Sequence, residues 1–330
     1  MSRNRIYSKL SGTGGYLPET IINNDYWTQW VDTTDEWIYT RTGIRERHFA
    51  LKDETAAGMG VQAARKALSM AGISPGDVEM IIVTTGTPDR LCPSCACTIQ
   101  KELGVPLGRP AFDLQVACSG FIYAMSIADQ FIQSAHVKNV LIVSTELLSR
   151  LIDWSDRNTC ILFGDGAGAV LLEASKEPGI IKTTIGADGY KGDLLTLDNM
   201  QLVDYQSPEK SNNLNRSLNS VNPYIQIQGQ SIFKLAVQYL SDLLDDCKEP
   251  IDWVIPHQAN VRVIQAIAKK LNLSIEQVVS TIDIHSNTAS ASIPLALDLA
   301  IRDGRIQRGQ NLFLEAFGAG LTWGSCVIKY

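Results

Sequence analysis

Helical and strand periodicities alternate along this chain in two stretches that echo one another, and that alternation restricts the fold more than any other feature. In the first stretch a helical pattern over Ala56–Ala71 leads through Gly72-Ile73-Ser74 to the apolar run Asp77–Val83. In the second, Ile232–Leu244 leads through a short polar break to Ile251–Ile255. Each stretch closes on a glycine-rich turn that feeds an apolar strand, Phe163–Leu172 in one and Phe317–Ile328 in the other. Alternation of this kind predicts a layered α/β architecture. The echo predicts two duplicated halves, residues 1–176 and 177–330, meeting near Ala174–Pro178. With 330 residues, the chain is long enough for two core units of about 150 residues each.

Gly164-Asp165-Gly166-Ala167-Gly168 superficially resembles a dinucleotide-binding loop. Such a loop must open a helix, whereas Ala169-Val170-Leu171-Leu172 follows here as a strand pattern. Tight turns with close backbone approach explain these glycines better. The segment Asp198–Pro223, rich in Asn, Ser and Gln, has no core-facing pattern and predicts a surface excursion.

Three chemically capable residues stand where apolar strands end. Cys118 lies between the strand-like Phe112–Val116 and a helix on which Phe121, Met125, Ala128 and Ile132 recur. There the thiol is expected to feel the positive end of the helix dipole, which favours thiolate. Ser119 and Gly120 are small and let a substrate come close. His257 follows the strand Asp252–Ile255 and Pro256, just before a helix over Val261–Leu271. Asn287 falls in a polar break between the Val278–Ile282 run and a helix over Ile293–Ile301. Singly, a buried Cys, a hydrogen-bonded His and a turn-forming Asn are ordinary. As a set at strand ends, they predict chemistry at one edge of a packed sheet.

Composition excludes several classes. The chain is 45% hydrophobic and 19% charged with formal net charge -6, as soluble enzymes are. Mild acidity argues against a general nucleic-acid binder, and an anionic ligand must find a local basic patch. No window approaches the roughly 18 apolar residues of a membrane span. The N-terminal stretch lacks the apolar region of an export signal, so a cytoplasmic location is expected. Seven cysteines without a regular framework fit a reducing compartment. Cys92-Pro93-Ser94-Cys95-Ala96-Cys97 has no second knuckle and no nearby His, so these thiols read as small buried hydrophobes rather than metal ligands.

A longer set of strings then becomes recognisable: Gly12–Pro18, Thr34–Ile38, Thr40–Arg47, Ala117–Phe121, Phe163–Gly168, Pro256–Asn260, Asn287-Thr288 and Glu315–Gly318. In this order the chain resembles, almost end to end, the β-ketoacyl-acyl carrier protein synthase III family of the thiolase superfamily. The resemblance implies a thiolase-like five-layered αβαβα fold and a homodimer. It also implies decarboxylative condensation of a short acyl-CoA, acetyl-CoA first, with malonyl-acyl carrier protein. No metal and no cofactor beyond the CoA thioester are implied. Cys118 would be acylated, with its own N–H and that of Ala319 as the oxyanion hole. His257 and Asn287 would donate hydrogen bonds to the thioester oxygen as the enolate develops.

The same resemblance implies CoA-binding roles for Trp37, Arg41, Thr42, Arg157, Gly229, Phe233 and Asn260. It places Cys92, Leu162 and Phe317 at the acyl pocket. An acidic carrier protein needs a basic rim, for which Lys234, Arg262, Lys269 and Lys270 are candidates. Plain alternatives exist: Trp37 as a surface anchor, Arg41 paired with Asp35 or Glu36, and the lysines as a solvated helix face. Three departures stand out. Ala319 occupies a usual glycine and would be strained if its φ were positive. Ser286 replaces the glycine before Asn287, and Cys92 replaces a bulky aromatic that reaches the partner's acyl pocket. Two rival readings keep the fold: an acyltransferase of secondary metabolism and a catalytically silent acyl-binding scaffold.

Overall fold

Two sheets repeat one strand order. A computed structural model describes residues 5–198, 222–245, 247–270 and 272–330, and the surface excursion expected over 198–223 lies almost wholly outside them. The first sheet holds β1 (Tyr7–Tyr16), β4 (Ile81–Thr84), β5 (Ala111–Leu114), β6 (Asn139–Leu147) and β7 (Asp165–Ser175), in the order β1-β7-β6-β4-β5. β7 runs antiparallel to both β1 and β6, while β6, β4 and β5 are parallel. The second sheet holds β8 (Ile180–Ala187), β11 (Trp253–Pro256), β12 (Asn311–Gly318) and β13 (Thr322–Lys329), in the order β8-β13-β12-β11. Its directions match: β13 is antiparallel to β8 and β12, and β12 is parallel to β11. A parallel bridge from Val254 to Val278 even supplies a counterpart to β5. Two short ladders, β2 (Thr20–Asn23) with β3 (Glu46–Phe49) and β9 (Leu195–Thr196) with β10 (Gln226–Ile227), stand apart from these sheets. Glycines 166 and 168 lie within strand β7, as the strand pattern after them requires.

Residue alternation explains the layers. Ile81, Val83, Leu141 and Val143 face an outer layer formed by the helices Ala56–Ala71 and Cys95–Leu103. Ile82, Val140 and Ile142, one residue out of phase, face the helices Gly120–Gln133 and Ser292–Arg302. Those two helices also receive Ile255, Leu312 and Leu314 from the second sheet. Val254, Phe313 and Val327 point the other way, onto the helices Gly229–Asp245 and Val261–Lys270. The result is helix, sheet, helix, sheet, helix. Sheets covered on both faces read as continuous apolar runs, which is how these strands appear in the sequence.

Side chains fix the helix starts. Thr55 Oγ1 accepts from the Gly58 N–H at 3.0 Å, and the Asp89 carboxylate accepts from the N–H groups of Ala56 and Ala57 at 2.7 and 3.0 Å. Asp113 does the same for Cys95 and Ala96, at 2.7 and 2.8 Å. Of the three clustered cysteines only Cys95 is buried; Cys92 and Cys97 are exposed, so the expectation of three buried thiols is corrected. Cys95 turns inward with Ala96 and Ile99, whereas Cys92 precedes the helix and Cys97 sits on its outer side.

Gly14 on β1 carries the closest approach of strand and helix. A Cβ there would collide with the Ala63 carbonyl and lie 2.6 Å from Ala67 N. Gly14→Ala is therefore expected to lower stability by about 1–3 kcal/mol through overpacking, read as a fall in the denaturant midpoint.

Candidate active site

Cys118 sits in a 3-10 turn, Ala117–Ser119, between β5 and the 120–133 helix, with Ala117 at φ 44°. A matching turn, Ala289–Ala291, precedes the 292–302 helix, with Ala289 at φ 43°. The two turns touch, so equivalent helices of the two halves begin side by side. His257 leaves the end of β11 with its N–H donating to the Glu315 carbonyl at 2.8 Å. Asn287 follows the short helix Ile282–His285 and is held by the first half. Its N–H donates to the Leu162 carbonyl at 3.0 Å, and its carbonyl accepts from the Gly164 N–H at 3.1 Å. All three side chains line one cavity of about 1430 Å³.

Orientation follows from the hydrogen bonds. His257 Nδ1 lies 2.6 Å from Ser292 Oγ, which already accepts from the Gln258 N–H at 3.3 Å. With the Ser292 hydroxyl donating to Nδ1, the ring proton is assigned to Nε2. Asn287 Oδ1 accepts from the Ala289 N–H at 2.9 Å, leaving the NH₂ end as the donor without an internal partner among the described residues. Gly318 packs on the thiol: a Cβ there would lie 2.9 Å from both Cys118 N and Cys118 Cβ. Only glycine lets the 317–320 turn rest against the nucleophile.

Burial sets the charges. Burial, with a smaller contribution from Glu146, pushes the Cys118 thiol up to about 12. Loss of hydration thus opposes the thiolate that the helix start favours. Burial also holds His257 down at about 4, so its imidazole is neutral at pH 7. Glu146 rises to about 7 through burial, opposed by hydrogen bonds from Ser290, Gly86 and Thr87. Glu315 rises to about 8 through burial alone, and neither of its carboxyl oxygens has a partner among the described residues. Glu146 as a site residue escaped the sequence reading, although a lone acid ending the apolar run Val140–Val143 was a usable signal.

The remaining candidates divide. Gly229, Phe233, Asn260, Leu162, Phe317 and Ala319 line the cavity, whereas Cys92 does not, although its neighbour Leu91 does. Arg41 and Arg157 both lie over the Trp37 indole, at 5.0 and 4.6 Å from the ring centre. Arg41 makes no ion pair with Asp35 or Glu36 among the described residues. Thr42 is buried, with Oγ1 donating to the Ile38 carbonyl and accepting from the Ile44 N–H, so it is committed to the helix end. Lys234, Arg262, Lys269 and Lys270 are all exposed, with Lys270 3.8 Å from Asp242. The left-handed φ near the glycine turn falls at Gly320 (132°) and not at Ala319, which removes the strain considered for that alanine. Ser286 does carry strain, at φ 54° and ψ -159°, a region that suits glycine.

Two like α/β halves joined over a shared Cys, His and Asn cavity define a thiolase-fold enzyme of the acyl-transferring kind. Residues 112–189 match the family model of 3-oxoacyl-[acyl-carrier-protein] synthase III, and residues 247–330 match its C-terminal model. A β-ketoacyl-[acyl-carrier-protein] synthase III of Methylococcus capsulatus is 50% identical over 98% of this chain and 99% of its own length. One from Vibrio parahaemolyticus is 50% identical over 98% and 100%. The crystal structure of 3-oxoacyl-[acyl-carrier-protein] synthase III from Aquifex aeolicus superposes with a TM-score of 0.89 at 43% identity, covering 98% of this chain and 100% of that one. The chain belongs to the β-ketoacyl-acyl carrier protein synthase III family.

Glu315 yields a pH test. Its folded value lies above its ordinary one, so the unfolded carboxyl ionises first as pH rises. The buried group then costs stability increasingly between about pH 5 and 8, and no further above. Glu315→Gln removes that cost. Its stability gain over the parent is expected to grow by up to about 1.4 kcal/mol per pH unit across this window, as measured by denaturant unfolding at pH 5, 6.5 and 8.

Proposed function

We infer that this enzyme condenses a short acyl-CoA, acetyl-CoA foremost, with malonyl-acyl carrier protein, giving β-ketoacyl-acyl carrier protein, CoA and CO₂ and starting fatty-acid synthesis. The observation that carries this reading is the pair of neutral donors, His257 Nε2–H and the Asn287 NH₂, beside the Cys118 thiol on one cavity. Acylation comes first. Cys118 Sγ bonds to the thioester carbon, the carbon–sulfur bond to CoA breaks, and the thiol proton leaves on the CoA sulfur. The Cys118 and Ala319 N–H groups serve as the oxyanion hole in this reading, supported by the tight packing of Gly318 on Cys118.

Malonyl-carrier protein then occupies the vacated tunnel and loses CO₂. The electron pair moves onto the thioester oxygen, where the two neutral donors stabilise it without needing to carry charge themselves. The enolate carbon attacks the acyl carbon, and Cys118 leaves and regains a proton. Trp37 with Arg41 and Arg157 is assigned to the nucleotide end of CoA, and Gly229, Phe233 and Asn260 to its pantetheine arm. Leu162 and Phe317 are assigned to the acyl group, and Cys92, which stands where the family often carries a bulky aromatic reaching the partner's acyl pocket, leaves more room there. Lys234, Arg262, Lys269 and Lys270 are assigned to the acidic carrier protein. A homodimer is supported by β5, whose outer edge is open in the single chain. Among the described residues no helix is long and apolar enough to cross a membrane, in keeping with cytoplasmic work. The two halves divide at 176/177, between the end of β7 and the start of β8.

Relatives 50% identical over nearly the whole chain that are named β-ketoacyl-[acyl-carrier-protein] synthase III favour this reading over a priming role in secondary metabolism. Cys118→Ser is expected to abolish acyl transfer, measured as loss of the acyl adduct by intact-protein mass spectrometry. His257→Ala and Asn287→Ala should each cut malonyl decarboxylation by about 10²–10³-fold and slow acylation far less. Equal losses in both half-reactions would remove their assigned role. Arg262→Glu should raise KM for the carrier-bound substrate by about tenfold and spare acyl-CoA loading, a split readable from the two half-reactions.

A further inference from the structure

Glu146 is a buried acid on the lining of the active-site cavity, and the steps above do not use it. It is the penultimate residue of β6, is 1% exposed, and lines the same cavity as Cys118. Its carboxylate is anchored at three points. Ser290 Oγ donates to Oε1 at 2.6 Å, and the Gly86 N–H and Thr87 Oγ1 donate to Oε2 at 3.0 and 3.2 Å. Ser290 and Thr84 also pack against Gly120, the residue at which the nucleophile's helix begins. Ser290 belongs to the 289–291 turn, which touches the Cys118 turn, so its bond fixes the carboxylate close to the nucleophile, on which it acts electrostatically. The other charged residues on this end of the cavity differ. Asp89, Arg90 and Arg150 are exposed and screened by water, and Asp113 is spent on capping the 95–103 helix.

An acyl group loaded on Cys118 must share this low-dielectric space. Neutral acyl chains meet apolar neighbours there, namely Leu147, Leu148 and Leu162. Above about pH 7, where Glu146 is ionised, a dicarboxylic acyl group would bring a second negative charge into range of it, and like charges in a dry cavity repel strongly. We propose that Glu146, fixed by Ser290, Gly86 and Thr87 beside Cys118, is a specificity residue that restricts acylation of the thiol to uncharged acyl groups and excludes carboxylated acyl-CoAs. The device suits a condensing enzyme whose second substrate carries a carboxylate: the extender is kept from being loaded as a primer. This inference rests on the condensing function proposed above and deepens it.

The test loads the full-length enzyme at pH 8.5, where Glu146 is ionised, with acetyl-CoA or with succinyl-CoA, whose carboxyl group cannot leave as CO₂, and follows the Cys118 adduct by intact-protein mass spectrometry. The parent enzyme should take acetyl and refuse succinyl. In Glu146→Gln the ratio of succinyl to acetyl loading should rise by at least about tenfold. Taking the ratio cancels any general change in thiol reactivity. Glu146→Asp, which keeps the charge, should retain the parent's low ratio. An unchanged ratio in Glu146→Gln, or equal relaxation in the Asp variant, overturns the proposal. So does a parent enzyme that loads succinyl as readily as acetyl, an arm that needs no variant to fold. Failure of every form to take acetyl would instead sink the condensing function itself.

Discussion

Two backbone hydrogen bonds hold this active site together: Asn287 N–H to Leu162, and Gly164 N–H to Asn287. They tie the loop of the second half to the strand approach of the first, so the carboxamide is positioned against a thiol more than 160 residues away in sequence. Much of the neighbourhood serves that joint. Arg47, fully buried, donates to the Ile161 carbonyl at 2.7 Å and to Asn24 Oδ1 at 2.9 Å, bracing the segment that receives Asn287. Gly164 has no room for a side chain because the Ser286 hydroxyl occupies the space. Ser286 in turn accepts an unfavourable backbone conformation so that Asn287 can enter the bridge. Strain of this kind persists only where surrounding contacts over-determine it.

The electrostatic character of the cavity follows from the same burial. A fully hydrated imidazole would be protonated part of the time near neutral pH, and a hydrated carboxyl would be ionised. Here His257 is held neutral, while Glu146 and Glu315 are pushed upward. Neutral donors and a thiol that stays protonated until it reacts suit thioester exchange, in which negative charge develops only transiently. Ser292 contributes by fixing which nitrogen of His257 carries the proton.

Much of this was legible in the sequence because strands buried on both faces leave long apolar runs, and their ends mark where polar residues emerge. Cys118 and His257 stood at such ends; Asn287 instead follows a short helix, Ile282–His285, and the structure brings all three to one cavity. The repeated helix-to-strand pattern likewise gave the doubled sheet, since local periodicity encodes layers directly. What local pattern could not encode was the balance of long-range solvation. The helix start at Cys118 argued for thiolate, whereas loss of hydration from surrounding layers pushes the thiol the other way. Thr42 resembled a ligand-facing hydroxyl, yet its oxygen is consumed by its own helix end. Glu146 lay at the end of an apolar run, and nothing within a few residues of it foretold that Ser290, 144 positions on, would fix it.

The shared central helices have a consequence for the chain as a folding unit. Helices 120–133 and 292–302 contribute to one apolar cluster with strands from both sheets. Either half produced alone would therefore present an uncovered oily surface of its own and be prone to aggregate. Mixed together, such fragments would find their best cover in each other. Carrying both halves on one chain makes that mutual cover independent of dilution.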